Sequence, residues 1–215
     1  RVLFRSSTGA NDALAQSAAK LVSSVATQLW MTQDIYHDWE KKTYPKRAKA
    51  AQPTQTFYET QKLTDNGETL ELGLLPMAHT DGDIYVKFPK ANVIATGDVL
   101  QPARLPALDW FCGGWIGGMQ NGLRTLVSLG DDNTKYVPAS GPVMTKAQVQ
   151  AHLDTITKLR EQLVKVMKQG KGAQDMIDMK AVAEFQPQLA GDPAIFLYTA
   201  YRGLWAHVRE LGGIV

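Results

Sequence analysis

Cysteine is nearly missing from this chain: Cys112 is the only one. No intrachain disulfide can form, so the fold must rest on a packed core. No apolar run reaches the ~18 residues that a membrane-spanning helix requires, and no membrane partner is expected. Neither sign of charge dominates, with 23 Lys and Arg against 21 Asp and Glu and a net charge of +2. That balance lacks the basic stripe of a nucleic-acid-binding protein, so no nucleic-acid partner is expected. Lys46, Arg47 and Lys49 form the densest basic cluster and read as a solvated helix end. The chain has no Met at position 1 and no signal-peptide pattern. This fits a mature form or a fragment and leaves the compartment open.

What is present describes an ordinary globular protein. The 215 residues suffice for one substantial core. The 44% hydrophobic and 20% charged residues are typical of a folded domain. Residues 10–19 are Ala-rich and favour a helix that Asn11 could cap. Residues 20–24 read as a short strand, and residues 25–50 as one long helix with Leu29, Ile35, Tyr36 and Trp39 on its apolar side and Pro45 near its end. The period then changes. Residues 56–58, 70–75, 84–88 and 93–96 are short β-favouring runs separated by Asp-Asn-Gly, Asp-Gly-Asp and Pro-Lys-Ala-Asn turns. From Thr145 the chain is helical again. Val149, Leu153, Ile156, Leu163 and Met167 recur on one face, with Thr145 as cap and Gly170 as stop. A second segment follows at 176–183, and a last helix starts at Asp192-Pro193.

Two polar clusters sit at strand ends. One is Ala78-His79-Thr80-Asp81-Gly82-Asp83; the other is Thr96-Gly97-Asp98. His and Asp at the ends of adjacent strands can converge on one metal, imidazole giving a neutral nitrogen and carboxylate an anionic oxygen, both suited to zinc. Each also reads as an ordinary turn residue.

The wider string, AHTDGDIYVKFPKANVIATGDVL at residues 78–100, resembles the metallo-β-lactamase superfamily. There an H-T-x-G-D/S turn leads into a two-stranded hairpin that ends in a Gly-Asp pair. The His of that turn binds one zinc ion, and the Asp commonly bridges two. The resemblance therefore implies His79 and Asp98 as metal ligands. Residues 109–119, DWFCGGWIGGM, resemble a glycine-rich loop that follows the bridging Asp in one group of these hydrolases. They imply Gly114, Trp115 and Gly117 as a substrate border, glycine permitting close backbone approach and Trp115 offering an apolar wall. The same residues also fit a tight structural loop around a buried Trp. Residues 137–143, VPASGPV, resemble V-P-G-H-G-P-V, and the helices from Thr145 onward resemble a C-terminal extension. In all, the resemblance covers essentially residues 8–210.

Two departures matter. The last metal ligand of the superfamily is the His of G-H-G-P, and here Ser140 stands in its place. A serine hydroxyl is neutral and weakly basic, a poor zinc ligand beside imidazole. Thr8-Gly9-Ala10-Asn11 resembles the T-G-G-N that follows the H-x-H-x-D-H motif. That motif would fall on Val2, Phe4, Ser6 and Ser7, none of which is His or Asp. Residues 1–7 are thus expected to be a non-matching segment, native or a truncation scar. Residues 8–215 are expected to be the C-terminal two-thirds of a single domain with a helical extension.

By resemblance the fold class is α/β, an αβ/βα sandwich that is incomplete, with the N-terminal sheet largely missing and apolar surface exposed on the sandwich face. The implied function is zinc-dependent hydrolysis, with metal-bound hydroxide attacking an ester- or amide-type bond of a small-molecule substrate. One or two zinc ions serve the complete superfamily. Here metal binding is expected to be weak or lost, and no catalytic residue is assigned. The alternative is a non-catalytic homologue acting as a binding module, which Ser140 favours because it lies within well-matched sequence. Relatives with this extension are often exported. His37, read as part of the long helix, and His152 and His207 in the C-terminal helices are expected to be surface or packing residues. Ser7 or Ser140 as a nucleophile would need a positioned base, and none is evident.

Overall fold

A computed structural model describes residues 10–17 and 20–212. Val2, Phe4, Ser6, Ser7, Thr8 and Gly9, on which the expected motif and part of the T-G-G-N match fall, lie outside the described residues.

The first helix, α1 (Asn11–Gln16), begins at Asn11 itself. Its side chain does not cap the helix but donates to the Ala51 carbonyl at 3.1 Å. The strand expected near residue 22 is present as β1 (Val22–Ser24). The long helix expected over 25–50 is not. It stops after two turns as α2 (Val25–Met31), and the chain turns into a hairpin of β2 (Ile35–His37) and β3 (Lys42–Tyr44). Ile35 and His37 are buried while Tyr36 between them is exposed, a period of two that overrides the apparent helical stripe. Lys41 closes the hairpin at φ 52. The basic cluster is not a helix end either, since Lys46 and Arg47 follow β3 outside any helix or strand and only Lys49 enters a 3-10 turn, Lys49–Ala51.

The main sheet has six strands. β4 (Gln55–Phe57) pairs in parallel with β1 in a separate two-stranded sheet. The main sheet then begins with β5 (Thr60–Asp65), which was not read from the sequence because its Gln, Lys and Thr residues carry no apolar alternation. A tight turn with positive φ at both Asn66 and Gly67 joins it to β6 (Glu68–Leu74), as Asn-Gly in a two-residue hairpin requires. β7 (Ile84–Phe88) and β8 (Val93–Gly97) continue antiparallel. Helix α3 (Ile116–Leu129) then crosses over to β9 (Lys135–Pro138), which lies parallel to β8, and β10 (Met144–Thr145) closes the far edge. The strand order is β10-β9-β8-β7-β6-β5.

Helices cover one face of this sheet. In α4 (Lys146–Met167), Thr145 and Gln148 form a reciprocal capping box, as the sequence predicts for Thr145. The short α5 (Ala173–Asp178) leads to α6 (Pro193–Ala206), where the Asp192 carboxylate accepts from the Ala194 amide at 2.8 Å. Ile94 and Tyr136 of the sheet pack with Leu123 of α3, Ile156 of α4 and Leu197 of α6 in one continuous core. On β7, Tyr85 packs toward this core and Lys87 Nζ reaches the Leu129 carbonyl at 2.9 Å. Ile84, Val86 and Phe88 alternate to the opposite face, where they are only half-buried. Among the described residues, the strands outside the main sheet are the β1–β4 pair and the β2–β3 hairpin. No helix among them is long and apolar enough to cross a membrane.

Candidate metal centre

The turn between β6 and β7 is tied to the rest of the fold by polar contacts. Asp83 accepts from the Thr80 amide at 2.8 Å and from the Thr80 hydroxyl at 3.3 Å. The Gly82 carbonyl accepts from Ser24 Oγ at 2.8 Å and Thr27 Oγ1 at 3.0 Å, which docks the start of α2 on the turn. A side chain at Gly82 would overlap Thr27, so the approach needs glycine. Trp30 Nε1 donates to Asp81 Oδ1 at 2.8 Å.

This turn fixes His79. Its imidazole is buried, and Nδ1 lies 3.5 Å from Asp83 Oδ1. Nε2 is buried without a hydrogen-bond partner among the described residues. Burial disfavours the imidazolium, but the bond to Asp83 and the charges of Asp83, Asp98 and Asp109 outweigh it and raise the His79 pKa. Asp98 follows β8, where Gly97 takes a left-handed φ of 57° and its carbonyl accepts from the Ala139 amide at 3.1 Å. His79, Asp98 and Asp83 border a common cavity of ≈ 400 Å³, together with Ser23, Ser24 and Thr27. Ser140 is exposed, two residues past the end of β9 and beside the Gly97–Asp98 corner.

The glycine-rich segment has a different place from the substrate border it was expected to form. Its second half is helical, with α3 starting at Ile116. Trp115 is 2% exposed and stacks on His207 with ring centroids 4.1 Å apart. Gly117 lies against the Trp115 ring, and Gly114 against the His79 carbonyl, each so closely that a Cβ would overlap its neighbour. The alternative reading, a tight loop around a buried Trp, describes this geometry. The loop backs His79 from behind. A methyl group at Gly114 has no space, so Gly114→Ala is expected to lower stability by about 2 kcal/mol, read as a reduced urea midpoint. An unchanged midpoint would mean that the loop has slack.

His37 was misplaced by the helical reading. It lies on β2, 1% exposed, with Nε2 3.3 Å from Asp109 Oδ2 and Nδ1 3.2 Å from Glu40 Oε2. Asp109 and Cys112 are fully buried beside it, and one ligand atom from each of the three lies within 4.8 Å of the others. The sequence gives one faint signal for this group: an Asp three residues before the only Cys, at the head of the glycine-rich segment. His152 is buried in α4, and burial alone lowers its pKa to about 4. His207 donates from Nδ1 to the Gly203 carbonyl at 2.9 Å and stacks on Trp115. Both are packing residues.

No family model and no curated protein matches the chain. Solved structures do. A metallo-β-lactamase from Pontibacter korlensis superposes with a TM-score of 0.51 at 17% identity, over 68% of this chain and 61% of that one. The DIM-1 metallo-β-lactamase gives 0.53 at 14% identity, over 71% and 64%. The BLEG-1 B3 metallo-β-lactamase gives 0.56 at 17% identity, over 70% and 71%. The chain thus has the metallo-β-lactamase fold, and it spans less than two-thirds of the length of the first two.

Proposed function

We propose that this chain derives from a zinc-dependent hydrolase and keeps a reduced metal site at His79 and Asp98. The observation that carries the reading is His79 Nε2: a buried imidazole nitrogen, unpartnered among the described residues, on a ring whose other nitrogen faces Asp83. That is how ligand histidines are commonly held, with a carboxylate fixing the tautomer from behind. His79 and the Asp98 carboxylate would hold the ion. When bound, zinc would acidify a water molecule and polarise a carbonyl. The chain's own residues supply the rest. Asp83 orients the imidazole, Gly114 braces its carbonyl, and the ≈ 400 Å³ cavity suits a small molecule. The substrate class is an ester or amide, of which the β-lactam ring named for the similar structures is one member.

A specific observation favours a second reading, a binding module without catalysis. Among the described residues no group of three or more ligands gathers around His79, and Ser140 stands where the resemblance implies a histidine. The test is zinc added to the folded, metal-stripped chain and followed by calorimetry. A weak binding event is expected at this site, weakened at least about tenfold in His79→Ala while any zinc held elsewhere stays, with little or no ester hydrolysis. Binding unaffected by His79→Ala would sink the metal assignment. Rapid hydrolysis abolished by a chelator would show that the site is complete rather than reduced.

A further inference from the structure

We propose that His37, Asp109 and Cys112 form a second, fully enclosed metal site, for a thiophilic divalent ion such as zinc, distinct from His79 and Asp98. The three come from separate parts of the chain: His37 from β2, Asp109 and Cys112 from the loop before α3. All are buried, at 1%, 0% and 0% exposure. Imidazole, carboxylate and thiolate are the three ligand types that zinc prefers.

The hydrogen-bond inventory points to an ion between them. His37 Nε2 and Asp109 Oδ2 lie 3.3 Å apart, yet they are not aligned as a hydrogen bond, and neither has another partner among the described residues. Two ligand atoms on one tetrahedral zinc at ordinary bond lengths sit about 3.3 Å apart, a spacing that the His37–Asp109 pair already has. The second nitrogen of His37 and the second oxygen of Asp109 are both engaged. Glu40 Oε2 faces His37 Nδ1 and accepts from the Tyr44 hydroxyl at 2.8 Å. In the tautomer that carries its proton on Nδ1 toward Glu40, His37 would turn an Nε2 lone pair toward Asp109. Asp109 Oδ1 accepts from the Cys112 amide at 3.1 Å, which sets the loop so that the thiol joins the group.

Charge supports the same assignment. The buried Asp109 carboxylate, like the His37 ring it faces, is costly to hold away from water without a cation beside it. One carboxylate, one thiolate and one neutral imidazole would balance the two charges of a divalent ion. The ion would also brace the candidate site above it, because the Asp109 amide donates to the His79 carbonyl at 2.9 Å and the Cys112 carbonyl accepts from the Asp81 amide at 2.8 Å.

The test uses the whole chain produced in cobalt-supplemented medium. Cys112 is the only thiol, so a cobalt–thiolate charge-transfer band in the near ultraviolet reports this site and no other. The expected result is that band with about one cobalt per chain, kept in a His79→Ala/Asp98→Ala double variant and lost in His37→Gln. A folded wild-type chain with no band overturns the proposal and leaves a proton, rather than a metal, between His37 and Asp109. A band that survives in folded His37→Gln and Asp109→Asn overturns it as well. Failure of zinc binding at His79 would not touch it, since the band does not depend on that residue.

Discussion

Replacing Trp115 by alanine is expected to cost about 4 kcal/mol of stability, read from the urea midpoint by circular dichroism. The indole is 2% exposed, sandwiched between the His207 ring and the wall of the loop that carries it. Its backbone amide reaches back to the Met77 and Ala78 carbonyls at 3.2 and 3.1 Å, so the turn after β6 meets the start of α3 at this residue. Gly117, Gly118 and Gly203 leave space for it; a Cβ at Gly117 would overlap its ring, and one at Gly203 would come within 2.8 Å of its Cβ. The collapse that limits many cavity mutations is blocked here, because the surrounding backbone is already in contact. A substrate wall would behave otherwise, leaving stability intact and changing only ligand affinity. Stability within 1 kcal/mol of wild type would therefore restore the border role that the glycine-rich segment suggested.

The contrast shows which signals a sequence carries. Thr145, Asp192 and the Asn66-Gly67 turn were legible because their chemistry is local: a cap needs only the next three residues, and a two-residue hairpin needs only positive φ. The turn from His79 to Asp83 was legible for the same reason, its Thr80–Asp83 bonds spanning three residues. The segment 25–50 failed where the decisive contacts are distant. Ile35 belongs inside a small cluster with Met31, Tyr44 and Cys112, and the partner that buries it lies on the far loop. His37 followed the same error. Its neighbours Glu40 and Tyr44 are close in sequence, but Asp109, the residue that gives it a role, is brought in only by the fold. Asp109 links both candidate metal groups, its amide holding the His79 carbonyl and its carboxylate facing His37. No local pattern announces a residue that works in two directions at once.

Acid is expected to destabilise the chain through His152. This imidazole is 8% exposed on α4, and burial lowers its pKa to about 4 from the usual 6.5. Between those two values the unfolded chain binds a proton that the folded chain refuses. Folding then competes with protonation, and stability rises with pH across the interval. The contribution is fully present above pH 6.5 and falls by about 3 kcal/mol on going down to pH 4. Carboxylates change over part of the same range, so the wild type alone cannot isolate the effect. The comparison is with His152→Gln, which keeps a polar side chain of similar size and cannot take up a proton. The expected outcome of urea titrations at pH 7 and pH 4 is a loss about 3 kcal/mol larger in the wild type than in the variant. Equal losses would mean that the helix opens enough to let water reach the charged ring, and that α4 is not the rigid wall its packing implies.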